Sequence, residues 1–361
     1  MQAGFRKHQN SPHLVDSVFL LYAMSSQYLT AMRIVVLLIF WSAFQPGTLV
    51  RAEEGGRNSA TGILWDWTLE DFRRGSYHKG VSSLFAEYER VTGRKLVPGE
   101  HNQAGLKVYT ASGPGLATPL PLVDGVVDEL MARGFEKSNL FILDQSTRNL
   151  RRAGFLPLLS QRRSDFKGVP VLSLDSGKHY HPEWFYESPL PSFPVGESSE
   201  NDRRSLLPYP LVSKVDFWIN LPVVMDCPGI GVNCSLANAS IWNVQNSFRF
   251  IAEKNSSAVA ATEISAIPEL REPWVFTLVS LEKCQFIGGP RFNSLYTFSE
   301  KRLLLSSNPV LLDYHILQKI NRHRRAKRFQ EIPVDSPLFK YGQTLGLGEY
   351  TGDAVKLVKL P

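Results

Sequence analysis

Leu84, Phe85, Tyr88 and Val91 recur at helical spacing within 82–91, and Thr92-Gly93 supplies a stop, so the pattern predicts a leading helix. The period then changes. Gly105-Leu106-Lys107-Val108-Tyr109-Thr110 predicts a strand, Gly113-Pro114-Gly115 a tight turn, 121–133 an amphipathic helix ended by Gly134, and Leu140-Phe141-Ile142-Leu143-Asp144 a second strand. Strand, glycine-rich turn, helix and strand make a βαβ unit, which implies parallel pairing with a right-handed crossover. Further strands are predicted over 215–220, stopped by Pro222, and over 274–281, 302–305 and 354–358, with a helix over 310–324. The stretch 176–210 is rich in Pro, Ser and aromatics without a clear period, and is expected to be a long irregular excursion. The expected fold class is α/β, a mostly parallel sheet flanked by helices in three layers.

Composition narrows this picture without changing it. With 361 residues, 43% hydrophobic and 20% charged, the chain is ordinary globular material, read as one α/β domain over 53–361. The longest apolar run, Ile34 to Phe44, is about half of the roughly 20 residues a membrane-spanning helix needs. Met32-Arg33 before it and Val50-Arg51-Ala52 after it have the order of a signal peptide cleaved after Ala52, and Met24 or Met32 would each serve as a start. The rival reading is an uncleaved anchor. Export to the periplasm or beyond, with no stable membrane span after cleavage, is the expectation.

Net charge is +6, with its clearest concentration at Arg322 to Arg328. No stacking-aromatic motif accompanies that run, so it is read as a solvated helix end and not as a nucleic-acid contact. Three cysteines, Cys227, Cys234 and Cys284, with no C-x-x-C pair, exclude a disulfide scaffold and argue against a thiolate-held iron–sulfur cluster. Cys227 and Cys234 flank Pro228-Gly229-Ile230-Gly231, which leaves open a disulfide, shared metal ligation or two free thiols. Cys284 is expected to be a buried free thiol.

The candidate chemistry gathers at strand ends. Gly113 and Gly115 would let the backbone approach an anion, although the G-x-G lacks the third glycine of a dinucleotide fingerprint. Lys107, inside an apolar strand, either faces solvent at an edge or enters a cleft as an anion clamp or proton carrier. Asp144 ends its strand where open parallel sheets bind ligands, or caps the following loop. Asp313 either enters the same cleft or favours its helix's positive end. Asn220, Asn238, Asn246 and Arg249 supply donors and acceptors suited to a polar ligand. His179 and His181 lack neighbouring metal ligands, and the sequons at Asn233, Asn238 and Asn255 matter only in a eukaryotic secretory pathway. No Ser-His-Asp order, G-x-S-x-G elbow or H-E-x-x-H is present.

Taken in order, three sets of residues resemble the family known as domain of unknown function 362 across nearly all of 80–361. The first is Gly105 to Val108, the turn from Gly113 to Thr118, and Phe141 to Asp144. The second is Trp218-Ile219-Asn220-Leu221-Pro222, Gly231 and Leu236-Ala237-Asn238. The third is Gly288-Gly289-Pro290, Ser307 to Asp313, and Leu345 to Gly348. The resemblance implies an exported bacterial protein and, by architecture alone, invites comparison with nickel-cofactor lactate racemases. The chain also departs from the family. Met225 and Cys227 stand where relatives usually have Lys and His, Ala237 replaces a Lys, and Asn308 an Asp.

Two functions therefore compete. In one, the protein is an enzyme acting on a small anionic substrate through Lys107, Asp144 and Asp313; in the other it is a non-catalytic binding protein or pseudoenzyme. Metal binding through Cys227 and Cys234 is a third reading, and no particular cofactor is implied. N-terminal sequencing of the mature protein is expected to begin at Glu53, and a mature chain starting upstream of Ile34 would overturn the signal-peptide reading.

Overall fold

Strands buried on both faces lose the in–out alternation of half-exposed strands and read as continuous apolar runs. In chain order the strands are β1 (Ile63–Thr68), β2 (Ala104–Val108), β3 (Leu140–Asp144), β4 (Asp165–Phe166), β5 (Val169–Ser173), β6 (Tyr180–Glu187), β7 (Arg204–Pro208) and β8 (Phe217–Leu221). They continue with β9 (Val224–Cys227), β10 (Gly231–Asn233), β11 (Trp274–Ser280), β12 (Cys284–Gln285), β13 (Thr297–Phe298), β14 (Arg302–Ser306) and β15 (Lys356–Leu360). The structure is a computed structural model that describes residues 62–157, 159, 164–188, 203–252 and 256–360. The predicted signal peptide with its cleavage site and the sequon at Asn255 lie outside the described residues.

Nine strands form one sheet in the order β15-β1-β14-β11-β8-β2-β3-β5-β4. The run β11-β8-β2-β3-β5 is parallel, as are β1 and β15, whereas β14 and the short β4 run the other way. The sheet is thus mostly parallel, as expected. One face packs Ala104, Leu106, Val108, Ile142 and Ile219 against the Arg74–Thr92 and Leu120–Ala132 helices. The Arg74–Thr92 helix, longer than the pattern predicted, is closed by Gly93 in the left-handed conformation. The other face packs Phe141, Leu143 and Trp218 against the Pro309–Ala326 helix, the Ser257–Ser265 helix and a second sheet, β10-β9-β12-β13. Helices therefore flank both faces, giving three layers.

The excursion at 176–210 is more ordered than the sequence suggested. β6 and β7 pair as an antiparallel ribbon, with Phe185 opposite Leu206 and Tyr186 opposite Ser205. Aromatic residues at Tyr180, Trp184, Phe185 and Tyr186 favour extended pairing, a preference hidden by the surrounding Pro and Ser residues. Residues 189–202 of the excursion lie outside the described residues. The described chain belongs to one compact unit, Asn58–Pro361, and none of its helices is long and apolar enough to cross a membrane.

Register aligns four polar residues across the middle of the large sheet. Lys107 lies beside Asn220, Asn220 beside Thr277, and Thr277 beside Ser306. All four are buried in largely apolar strands. In-register side chains on adjacent strands point to the same face, so each member of the row needs a hydrogen-bond partner on that side of the sheet.

Candidate functional site

Lys107, Asn220 and Thr277 of the polar row meet partners at the short Ser235–Ala239 helix, while Ser306 donates to the Ile63 carbonyl. The Lys107 ammonium donates to the Val108 carbonyl at 2.6 Å, to Asp144 Oδ1 at 2.8 Å and to Asn238 Oδ1 at 3.2 Å. Its three protons are thereby used. Asn238 donates to Asn220 Oδ1 at 2.7 Å, and Asn220 donates to the Ser235 carbonyl and to Thr277 Oγ1. Ser235 Oγ and Thr277 Oγ1 share a 2.6 Å hydrogen bond. On the far side of this helix, the backbone N–H groups of Ser235 and Leu236 donate to the Asp313 carboxyl at 2.6 and 2.9 Å.

These positions correct three sequence expectations. Lys107 neither faces solvent nor opens into a cleft, because it is sealed inside the sheet's packing and paired with Asp144. Asp313 is also sealed: it caps the Ser235–Ala239 segment and is absent from the cleft wall. Asn220 and Asn238 are internal connectors with no solvent contact. Lys107, Asn220, Asn238 and Asp313 do converge, but on a buried network behind the cleft. Asp144 alone of these reaches the cleft surface, with Oδ2 accepting from Thr110 at 2.6 Å.

The cleft itself lies at the C-terminal ends of β2, β3 and β5, where parallel sheets gather their ligands. Its cavity is about 1100 Å³ and is closed by the segments 174–180, 242–248 and 290–292. Ser112 fixes one wall by donating to the Pro290 carbonyl at 2.6 Å. The Gly288–Pro290 turn is held by Asp226, whose carboxylate accepts from the Gly288 and Gly289 N–H groups at 3.2 and 2.9 Å. A Cβ on Gly289 would sit 1.9 Å from the Asp226 carbonyl oxygen, so only glycine fits there. Gly115 leaves room of a different kind: a Cβ there would lie 2.4 Å from the exposed Phe292 ring, which would have to shift. The Gly113–Gly115 turn, with Gly113 at φ 81°, thus makes room for a side chain where the sequence suggested an anion cradle.

Charge in the cleft is unevenly satisfied. Asp144 is engaged by Lys107 and Thr110, and Asp175 accepts from the Thr147 N–H and hydroxyl at 2.8 and 2.7 Å. Arg148, Arg152 and Arg291 line the cleft, are exposed, and have no acidic partner among the described residues. Arg148 and Arg152 sit four apart on the Thr147–Arg152 helix and so share a face. Sequence reasoning missed all three arginines, although the i, i+4 pair just beyond the end of β3 was a readable signal. Asn246 does line the cleft, exposed and at φ 55°. Arg249 does not: it is buried and donates to Ser205 Oγ and the Ser188 carbonyl.

The thiols form no pair. Cys227, Cys234 and Cys284 are each buried and free, so the disulfide between Cys227 and Cys234 is not formed. Cys227 lies in β9, opposite Gly231 of β10, while Cys234 follows that strand and interacts with Asp313. Burial pushes the Cys227 thiol up to about 12 and raises Cys234 well above the ordinary thiol value. A cysteine ligates a metal as its thiolate, and among the described residues no group of three His, Cys, Asp or Glu side chains is arranged to hold a metal.

No family model matches the chain, and no curated protein matches it. A crystal structure of a protein from Thermotoga maritima, a Northeast Structural Genomics Consortium target, aligns over 71% of this chain at 11% identity and a TM-score of 0.35. The alignment covers 59% of that protein, less than two thirds of its length, and a likeness of this size carries no functional argument.

Two outcomes follow from the buried network. Lys107→Met leaves the Asp144 carboxylate buried with only Thr110 beside it, and is expected to lower stability by about 3–5 kcal/mol in urea denaturation. Adding Asp144→Asn should restore part of that loss, and a single variant as stable as wild type would contradict the pairing. Asp313 supplies the pH dependence. Burial pushes its carboxyl up to about 7, against the opposing Leu236 and Ser235 N–H groups and the Cys234 thiol. Between about pH 4 and 7 the folded state holds a proton that the unfolded state has released, so this group's contribution is full at low pH and is lost as pH rises. The stability difference between wild type and Asp313→Asn should therefore shrink over that window by on the order of 3 kcal/mol. A difference that is constant with pH, or widens, would refute this.

Proposed function

We propose that the protein binds a small anionic molecule in the cleft at the C-terminal edge of the sheet, using Arg148, Arg152 and Arg291. One observation carries this reading: three exposed arginines with no acidic partner among the described residues line a cavity whose two described carboxylates are already hydrogen-bonded. Guanidinium groups are the side chains best suited to carboxylate and phosphate, which they bind through paired N–H donors. The reading favours a binding protein over an enzyme. Lys107 and Asp313 are sealed away from the cleft, and Asp144, which does line it, is already paired with Lys107 and Thr110, so no free acid–base group among those proposed faces a bound molecule. Export, and membership of the domain-of-unknown-function-362 family, remain proposals drawn from the signal-like N-terminus and the three sequence landmarks.

The test is calorimetric titration with small phosphates and carboxylates, beginning with adenosine 5′-monophosphate, ribose 5-phosphate and citrate. Arg148→Met with Arg152→Met should weaken binding by at least about tenfold while leaving the melting temperature unchanged, since both side chains are exposed. Unchanged affinity in that variant, or no binding by any of these anions at millimolar concentration, would defeat the reading.

A further inference from the structure

The cleft wall carries rings as well as charge, and the two together narrow the class of ligand. Tyr180, Trp242, Phe248 and Phe292 all line it. Trp242 is buried and fixed, its indole N–H donating to Asn233 Oδ1 at 2.5 Å and its ring meeting Tyr109 edge-on. Phe248 and Phe292 are different, being 71% and 41% exposed at the cleft. Large apolar side chains left in water at a concave site indicate surface that a ligand covers. The Phe292 ring packs over Gly115, in the space a Cβ there would take, so the backbone of the Gly113–Gly115 turn backs one side of it.

Size points the same way. A cavity of about 1100 Å³ exceeds what a single phosphate or carboxylate would fill, and matches a ligand of several ring and chain atoms. The Tyr180 hydroxyl has no hydrogen-bond partner among the described residues and adds a neutral donor to the wall. We infer that the ligand is an anion carried on a flat aromatic or heteroaromatic ring, its charge held by Arg148 and Arg152 and its ring covered by Phe248 and Phe292. This inference rests on the anion-binding reading given above.

The experiment separates the two. Calorimetry compares adenosine 5′-monophosphate and 4-nitrophenyl phosphate, which carry both features, with ribose 5-phosphate, which has the charge alone, and adenosine, which has the ring alone. The ring-bearing phosphates are expected to bind at least about tenfold more tightly than ribose 5-phosphate or adenosine, the scale of one stacked ring. Phe248→Ala with Phe292→Ala should erase the advantage over ribose 5-phosphate and leave ribose 5-phosphate binding as it was. Ribose 5-phosphate binding as tightly as either ring-bearing phosphate would overturn the ring assignment while leaving anion binding intact. Adenosine binding as tightly as its monophosphate would instead overturn the anion reading. Failure of both ring-bearing phosphates to bind at millimolar concentration would overturn the inference as well.

Discussion

A buried ammonium has to find every one of its partners inside the protein, and Lys107 organises the centre of this fold through that requirement. Its three hydrogen bonds join the end of β2, the end of β3 and the Ser235–Ala239 helix. Moving any one of those elements would strand a charge in an apolar interior. The requirement extends along the register row, since Asn238, Asn220, Thr277 and Ser235 each give one another what the surrounding core cannot. The network continues to Asp313 through the backbone of Ser235 and Leu236, so the Pro309–Ala326 helix is bound to the same polar centre. Partly satisfied networks of this kind are costly, and fully satisfied ones fix a single arrangement.

The cleft takes its character from what this network consumes. Asp144 faces it as a carboxylate already matched by Lys107 and Thr110, and Asp175 is spent on the start of the Thr147–Arg152 helix. The exposed arginines therefore set the sign of the site. The walls are equally constrained, because the Gly288–Pro290 turn depends on Asp226 accepting its N–H groups and on Ser112 reaching the Pro290 carbonyl.

Met225 and Cys227 pack within the core of the second sheet, where a lysine or histidine would be a buried polar group. Ala237 packs in the same core. Asn308 accepts from the Leu311 N–H to start its helix while its amide donates to the Glu349 carbonyl. An aspartate would serve the first bond and lose the second, because an ionised carboxylate has no proton to give.

The βαβ unit was legible from the chain alone: β3 spans the predicted residues, and the 310–324 helix is extended by about a residue or two at each end. Apolar period and glycine punctuation are local properties, so the sequence carries them directly. The same reading marked Lys107 as a polar residue in an apolar strand, and Asn220 and Asn238 as candidate contacts for a polar ligand. It could not say what they touch. Register between β2 and β8 brings residues more than a hundred positions apart side by side, and only packing decides whether a lysine there faces a ligand, solvent or an aspartate. The second sheet escaped notice because its strands are two to four residues long, too short to show a period. The cleft arginines offered the sequence only the spacing of Arg148 and Arg152, because exposed arginine is common; only the tertiary structure leaves these three facing one cavity without a carboxylate of their own among the described residues.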